Sequence, residues 1–420
     1  MFNYWEKIIA KSLSSFPILK SFAKKGYSRL AFITERKKYS FQADKEIREL
    51  GEPKKESFFG YYDKSPSNKS NNYILFQESS YLTHKKPNPS YPVKIILQKD
   101  SGEIVKRFLS SAYNWQQGTK LQWISDTKFV FNDYDASLDS YVAHVYDVTL
   151  RKIVYTLPVS IYDCFGEEFA LTLNYDRLAL LAPDYGYFNR IEQPINLDNL
   201  ENDGVYSVNM QSGQSKLIIS LSKLKSLSTK LSMKNANHTV NHIMISPNGD
   251  KFMVIHRWYK NRRRFDRLIL ADNNGENIKI VADNEMVSHC FWVKPNLILG
   301  YLRGINDQDG YWLINTETLD YQAFSVPPLD KYGDGHCHIN GDWFVTDTYP
   351  DKSRMQHLFL CNWKTGEVTE LGEFFHGFRF NGESRCDLHP RFSIDGKNVF
   401  FDSVFQGKRR MYQLKLQNDV

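Results

Sequence analysis

A seven-bladed, all-β propeller is the fold that this sequence predicts, on three observations. Aromatic residues make up 15% of the 420, with 25 Tyr and 28 Phe, a composition that suits the pleated faces of strands. From residue 57 onward, short apolar runs are separated by Asn, Asp, Gly and Pro. One unit (a short strand, a turn such as Pro-Asn-Gly-Asp, then a strongly apolar strand) recurs seven times.

The chain opens on a basic head. Residues 1–40 hold nine Lys/Arg against two Glu, a net +7, while the whole chain is +6, so residues 41–420 sum to −1. Trp5, Ile8, Ile9, Leu13 and Phe16 recur at helical spacing opposite Lys7 and Lys11, and Pro17 interrupts the pattern ahead of Ile18, Leu19 and Phe22. Such a helix either lies on an anionic membrane or packs on the body with its lysines in water; a stripe and a charge fit both. The lysines interrupt every signal-peptide core, and no apolar run approaches the ~18 residues that span a bilayer. Five cysteines, odd in number and never spaced C-x-x-C, indicate neither a disulfide framework nor a zinc ribbon. A cytoplasmic protein, peripheral to the inner membrane through its head, is expected. Nucleic acid is not an expected partner, because no binding module accompanies the basic stretch.

The extension is drawn as residues 1–56 and the propeller as 57–420. The seven units fall at 62–77, 121–132, 169–183, 242–256, 289–301, 336–347 and 389–402. Most are followed by two further strand-like runs, as at 141–148 then 152–157, which makes four strands per unit of about 50 residues, the pattern of a propeller blade. Packed β-sandwiches do not repeat one unit so regularly. The last blade is one strand short at the C-terminus, so a segment ahead of the first unit is expected to complete it.

Propeller blades radiate from a channel, so residues at one fixed point of each repeat converge in space. His242, His289, His336 and His389 each open a unit; His338 follows His336 on the same strand face, and Asp387 precedes His389 in the same way. Imidazoles and carboxylates from neighbouring blades suit a divalent transition metal, an acid–base pair or hydrogen bonds to a sugar; the plainer role is to satisfy buried backbone groups. The stretch from His256 to Arg267 carries six Lys/Arg against one Asp and is expected to form a hairpin loop near the same mouth. Guanidinium groups bind carboxylates bidentately, which points to an anionic sugar polymer; a solvated tip is the alternative for Arg262–Arg264.

In this arrangement the chain resembles the oligogalacturonate lyase family, seven-bladed propellers that cleave uronate oligosaccharides by β-elimination with a manganese-type metal on the axis. Ser288-His289-Cys290-Phe291-Trp292 is similar to the family's Thr/Ser-His-Glu-Phe-Trp stretch, whose His is a ligand. Ser384 to Ser393 resembles its Gln-x-x-His-x-His-Pro-x-Phe stretch, with Asp387 in place of a ligand His and Ser384 in place of the Gln. His336 or His338 falls near another family His, and His242 matches one opening the fourth blade. The resemblance implies metal ligation by His289, His336, Asp387 and His389, with Arg257 or Arg385 helping to neutralise the uronate. The family's base arginine has no counterpart in Gly204-Val205-Tyr206-Ser207-Val208. His242 is the expected base, with Arg190 and Tyr187 as alternatives, and His256 the expected acid. Arg190, Arg385, His338, Tyr62 and Lys64 are the expected sugar contacts.

Overall fold

In the computed structural model, residues 17–416 are described, and the predicted stripe of residues 5–16 lies outside them. Among the described residues the strands form seven antiparallel sheets in chain order, each one blade. Blades 1 to 5 take residues 56–110, 122–157, 163–220, 237–282 and 287–324; blades 6 and 7 take 338–375 and 391–415. Alternation along the inner strands buries Val, Ile, Leu and Phe between neighbouring blades, so the core is a ring of inter-blade layers.

The ring is closed by the chain's beginning. Helix α1 (Pro17–Glu35) is followed by β1 (Phe41–Ala43), a fifth, outer strand of blade 6, and β2 (Ile47–Leu50), which pairs antiparallel with Arg410–Lys415 as the outer strand of blade 7. The predicted missing strand is thus Ile47–Leu50. Because residues 41–50 are sheet partners and the first inner strand begins at Glu56, the strands of the ring start at Phe41 and not at 57. Phe32 of α1 packs on Phe375 of blade 6 and on Phe378 in the loop after it, with ring centroids 5.8 and 5.4 Å apart, and both Lys37 and Tyr39 bond Glu373. No helix among the described residues is long and apolar enough to cross a membrane.

Two expectations need correction. In the third unit only Phe169–Thr172 is a strand; the second half is helix α2 (Tyr175–Leu181), because the Asn174 side chain caps it by accepting the Arg177 N–H and Asp176 complements its N-terminus. The basic stretch is not a loop. Lys251–Lys260 and Arg263–Asp272 pair along ten residues, leaving a two-residue turn at Asn261-Arg262, both at positive φ, as a hairpin turn requires.

Candidate functional site

The innermost strands aim the histidines by breaking register. In blade 4 the pairing shifts between Asn241 and Met244, and in blade 5 between Val287 and Cys290, so His242 and His289 sit in bulges that turn them out of the ladder. His242 and His389 hold left-handed backbones, φ +53° and +43°, a sparsely populated conformation for a bulky side chain. His336 follows Gly335, where a Cβ would lie 2.0 Å from the Asp347 carbonyl oxygen, so only glycine lets the chain pass.

Each of three histidines is held at Nδ1. His336 Nδ1 lies 2.8 Å from Asp347 Oδ1, His289 Nδ1 3.1 Å from Asp334 Oδ1, and His389 Nδ1 2.8 Å from the Gly60 carbonyl oxygen. Asp387 takes a 2.6 Å bond from Arg385 Nε on Oδ2. What remains is a set of orphans: His336 Nε2, His389 Nε2 and Asp387 Oδ1 are buried with no hydrogen-bond partner. One ligand atom from each of His336, Asp387 and His389 falls within 4.8 Å of the others. Two imidazoles fixed from behind and one carboxylate, each with an unspent donor atom, are what a divalent transition ion requires, and without a cation such orphans are costly to bury. His289 lies outside this trio, though its ring centroid is 3.8 Å from that of His336.

A cavity of about 460 Å³ is not lined by the trio itself but by residues that touch it: His289, whose ring meets that of His336, and Arg385, which bonds Asp387. His242 and His289 line it from blades 4 and 5, Asp334 from the connection between blades 5 and 6, Arg257 and Arg264 from the blade 4 hairpin, Arg385 and Tyr349 from the loops, and Asp184 and Tyr185 from the chain after α2. Arg257 is buried and pairs with Asp266, which Arg264 also approaches at 3.1 Å; Arg385 Nη1 is 3.5 Å from Asp184. His242 Nε2 bonds the Tyr61 hydroxyl, and its Nδ1 has no partner. Burial, then Arg257 and His289, hold the His242 pKa well below the ordinary histidine value. Burial opposes a charge on His336 as well, but Asp347, with Asp387 and Asp334 beyond it, outweighs burial and raises its pKa. For Asp387 burial is again the largest influence, yet Arg385 and His336 overcome it and hold the carboxyl below its usual range.

Several expected site residues lie elsewhere. His256 is sealed in blade 4, its Nε2 2.9 Å from His238 Nδ1 and its Nδ1 accepting from Arg267 Nε at 3.1 Å, so neither nitrogen is free for substrate. Arg190 pairs with Asp176 and Asp139 over a separate surface hollow, and Tyr187 is buried, stacked 4.2 Å from Tyr175. His338 Nδ1 accepts the Phe392 N–H across the blade 6–7 boundary, a structural bond. Tyr62 lies against the rings of His289 and His336 and donates to the Cys290 carbonyl, and Lys64 pairs with buried Asp163; neither lines the cavity. Of the basic run, Arg257 and Arg264 reach the cavity while Arg262 and Arg263 are exposed at the tip. The repeat pattern does not single out Asp334, Asp347, Tyr61 or Tyr185. One signal does exist for the first of these: Asp334 stands two residues before His336, as Asp387 does before His389.

No sequence-family model matches the chain, and no curated protein matches its sequence. Solved structures do match its fold. An oligogalacturonate lyase in complex with manganese superposes with a TM-score of 0.62 at 15% identity, covering 90% of this chain and 94% of that one. The oligogalacturonate lyase of Vibrio parahaemolyticus gives 0.57 at 14%, covering 90% and 97%. The β-propeller domain of the trilobed protease of Pyrococcus furiosus gives 0.51 at 10%, covering 86% and 97%. The likeness to oligogalacturonate lyases read from the sequence therefore holds at the level of the fold, which these propellers share.

Proposed function

We propose that the chain is a metal-dependent lyase that cleaves a uronate-containing oligosaccharide or polysaccharide by β-elimination. The observation that carries this reading is the trio of orphaned donor atoms on His336, Asp387 and His389 beside a cavity walled by Arg257, Arg264 and Arg385. A divalent ion of the manganese type on that trio would supply Lewis-acid neutralisation of the uronate carboxylate, which acidifies the C5 proton. The arginines attract and orient the same carboxylate; Asp266 and Asp184 hold their forks in place. His242 is the base. Its depressed pKa keeps it neutral at pH 7, and the tautomer proposed for the base is the one whose Nε2–H bonds the Tyr61 oxygen, which leaves on Nδ1 a lone pair with no other partner. Asp334 and Ser288, which bond each other at 2.6 Å, fix His289 beside it.

The test is metal analysis of the purified protein, with incubation of the loaded protein on a panel of acidic polysaccharides and oligosaccharides, monitored by the absorbance of an unsaturated product. Metal uptake and new absorbance on at least one substrate are expected. Tight binding of a uronate polymer without cleavage would replace the lyase with a sugar-binding role in surface-polysaccharide assembly, and a metal-free, inert protein would remove the lyase reading.

The proposed location is the cytoplasm, in peripheral contact with anionic lipid through residues 1–40. Exposed Leu30 and Ile33, 67% and 73% accessible on α1 beside exposed Arg29, support that contact. Sedimentation with anionic liposomes at low salt tests it, and failure to sediment would leave α1 as a packed helix only.

A further inference from the structure

The proposed elimination needs a proton for the departing oxygen, and His256, with both nitrogens engaged, does not reach the cavity. Three tyrosines line the cavity: Tyr259 is engaged with Arg257, whereas the hydroxyls of Tyr185 and Tyr349 make no hydrogen bond to the described residues. Tyr349 stands on the metal side, its ring 5.9 Å from His336 and covered by the Arg385 guanidinium at 5.7 Å. Tyr185 stands on the base side. Its ring meets His242 edge-on with centroids 5.3 Å apart, and its backbone is held by Asn114 Nδ2 on its carbonyl oxygen at 3.0 Å.

We infer that Tyr185 is a catalytic residue, the general acid that protonates the leaving oxygen while His242 removes the C5 proton. This assignment rests on the lyase reading. The C5–H bond breaks toward His242 Nδ1 and its electron pair becomes the second bond of C4=C5. The C4–O bond breaks, and the departing oxygen takes the Tyr185 hydroxyl proton. After product leaves, the phenolate recovers the proton held on His242, so the cycle closes without oxidant or reductant. The surroundings of Tyr185 suit a general acid. Burial, with Asp184 beside it, keeps the phenol protonated at neutral pH, while Arg385, Arg257 and Arg264 act against them and stabilise the phenolate as it forms. Asp184, the adjacent carboxylate in the cavity, faces Arg385 and is not free for this role.

The experiment compares the metal-loaded full chain with Tyr185→Phe on two substrates: an oligouronate that the parent cleaves, and a uronate bearing 4-nitrophenoxide at C4, a leaving group that needs no proton. Tyr185→Phe should slow the oligouronate reaction by about 10²–10⁴-fold and the nitrophenoxide reaction by less than about tenfold. Equal loss on both substrates, or no loss on either, overturns the assignment. The selective pattern in Tyr349→Phe and not in Tyr185→Phe transfers the role to Tyr349. A parent that cleaves neither substrate overturns the lyase reading and this assignment with it, whereas a parent that cleaves both with an unaffected Tyr185→Phe overturns this assignment alone.

Discussion

Asp347 and His336 are joined twice: Asp347 Oδ1 accepts both the ring Nδ1–H and the backbone N–H of His336, each at 2.8 Å, and its second oxygen takes the backbone N–H of His389 at 3.0 Å. One carboxylate therefore fixes the tautomer of one proposed ligand and the backbone of another across two blades. Asp347→Asn should weaken metal affinity by about 10–100-fold, the usual effect of disturbing a ligand's outer partner. Titration with manganese followed calorimetrically checks this, and unchanged affinity would mean that the trio does not bind metal.

The proposed ligands should behave differently from core residues. His336→Ala and His389→Ala are expected to abolish stoichiometric metal uptake while lowering unfolding stability, measured metal-free, by no more than about 1–3 kcal/mol for the partner groups left unpaired. Elemental analysis beside urea denaturation separates the two effects.

Ring closure depends on a buried pair. Asp402 accepts from Arg391 Nη2 at 2.8 Å and from the Phe59 and Gly60 N–H groups, tying blade 7 to the start of blade 1. Asp402→Ala leaves Arg391 charged and unpaired and should cost about 3–5 kcal/mol, whereas breaking the exposed Arg303–Asp309 pair should cost about 0–1 kcal/mol. Denaturant midpoints at constant slope give both numbers.

Acid should act through the blade 4 stack. Burial pushes the His238 pKa down to about 4 and holds His256 well below its ordinary value. As pH falls below about 6.5 the unfolded chain takes up these protons first, so stability present at neutral pH is lost between about 6.5 and 4, on the order of 3 kcal/mol for His238. Melting temperature against pH should show this decline, and His238→Gln should make it shallower, the remainder belonging to His256 and the other buried histidines held below their ordinary value.

Removing residues 1–50 strips the outer strands from blades 6 and 7 and bares the edges at Val368–Phe375 and Arg410–Lys415. That truncation should melt earlier and associate on size exclusion. Removing residues 1–36 keeps both strands and should leave a folded ring.

The repeat was legible because each blade restates one pattern of turn and apolar strand, and the histidines because they stand at one point of that pattern. Blade 3 escaped because Leu178-Ala179-Leu180-Leu181 is apolar enough for either element, and the Asn174 cap decides it locally. The convergence of His336, Asp387 and His389 was legible in the sequence, but the separation of His289 from them depends on bulge geometry that no spacing encodes. Asp334 and Asp347 are ordinary turn and strand-end residues until the fold brings imidazoles to them. His256 and Arg267 look like site residues in a basic run, yet strand alternation turns them into blade 4, where the stack with Trp258 claims them.

The pairing of Ile47 with Leu414 joins residues 367 apart in the chain. Blades 1 to 5, and the four inner strands of blade 6, are assembled from strands that follow one another in the chain and close cheaply in loop entropy, but the outer strand of blade 7, like the added fifth strand of blade 6, pairs across more than 300 residues and must wait for its distant partner to leave the ribosome. Until then two sheet edges stand open at opposite ends of a nascent, unsealed arc. Folding speed, and vulnerability to self-association during synthesis, are therefore governed by a four-residue strand remote from the cavity, and substitutions within Ile47–Leu50 should reduce the yield of assembled protein more than they alter the finished site.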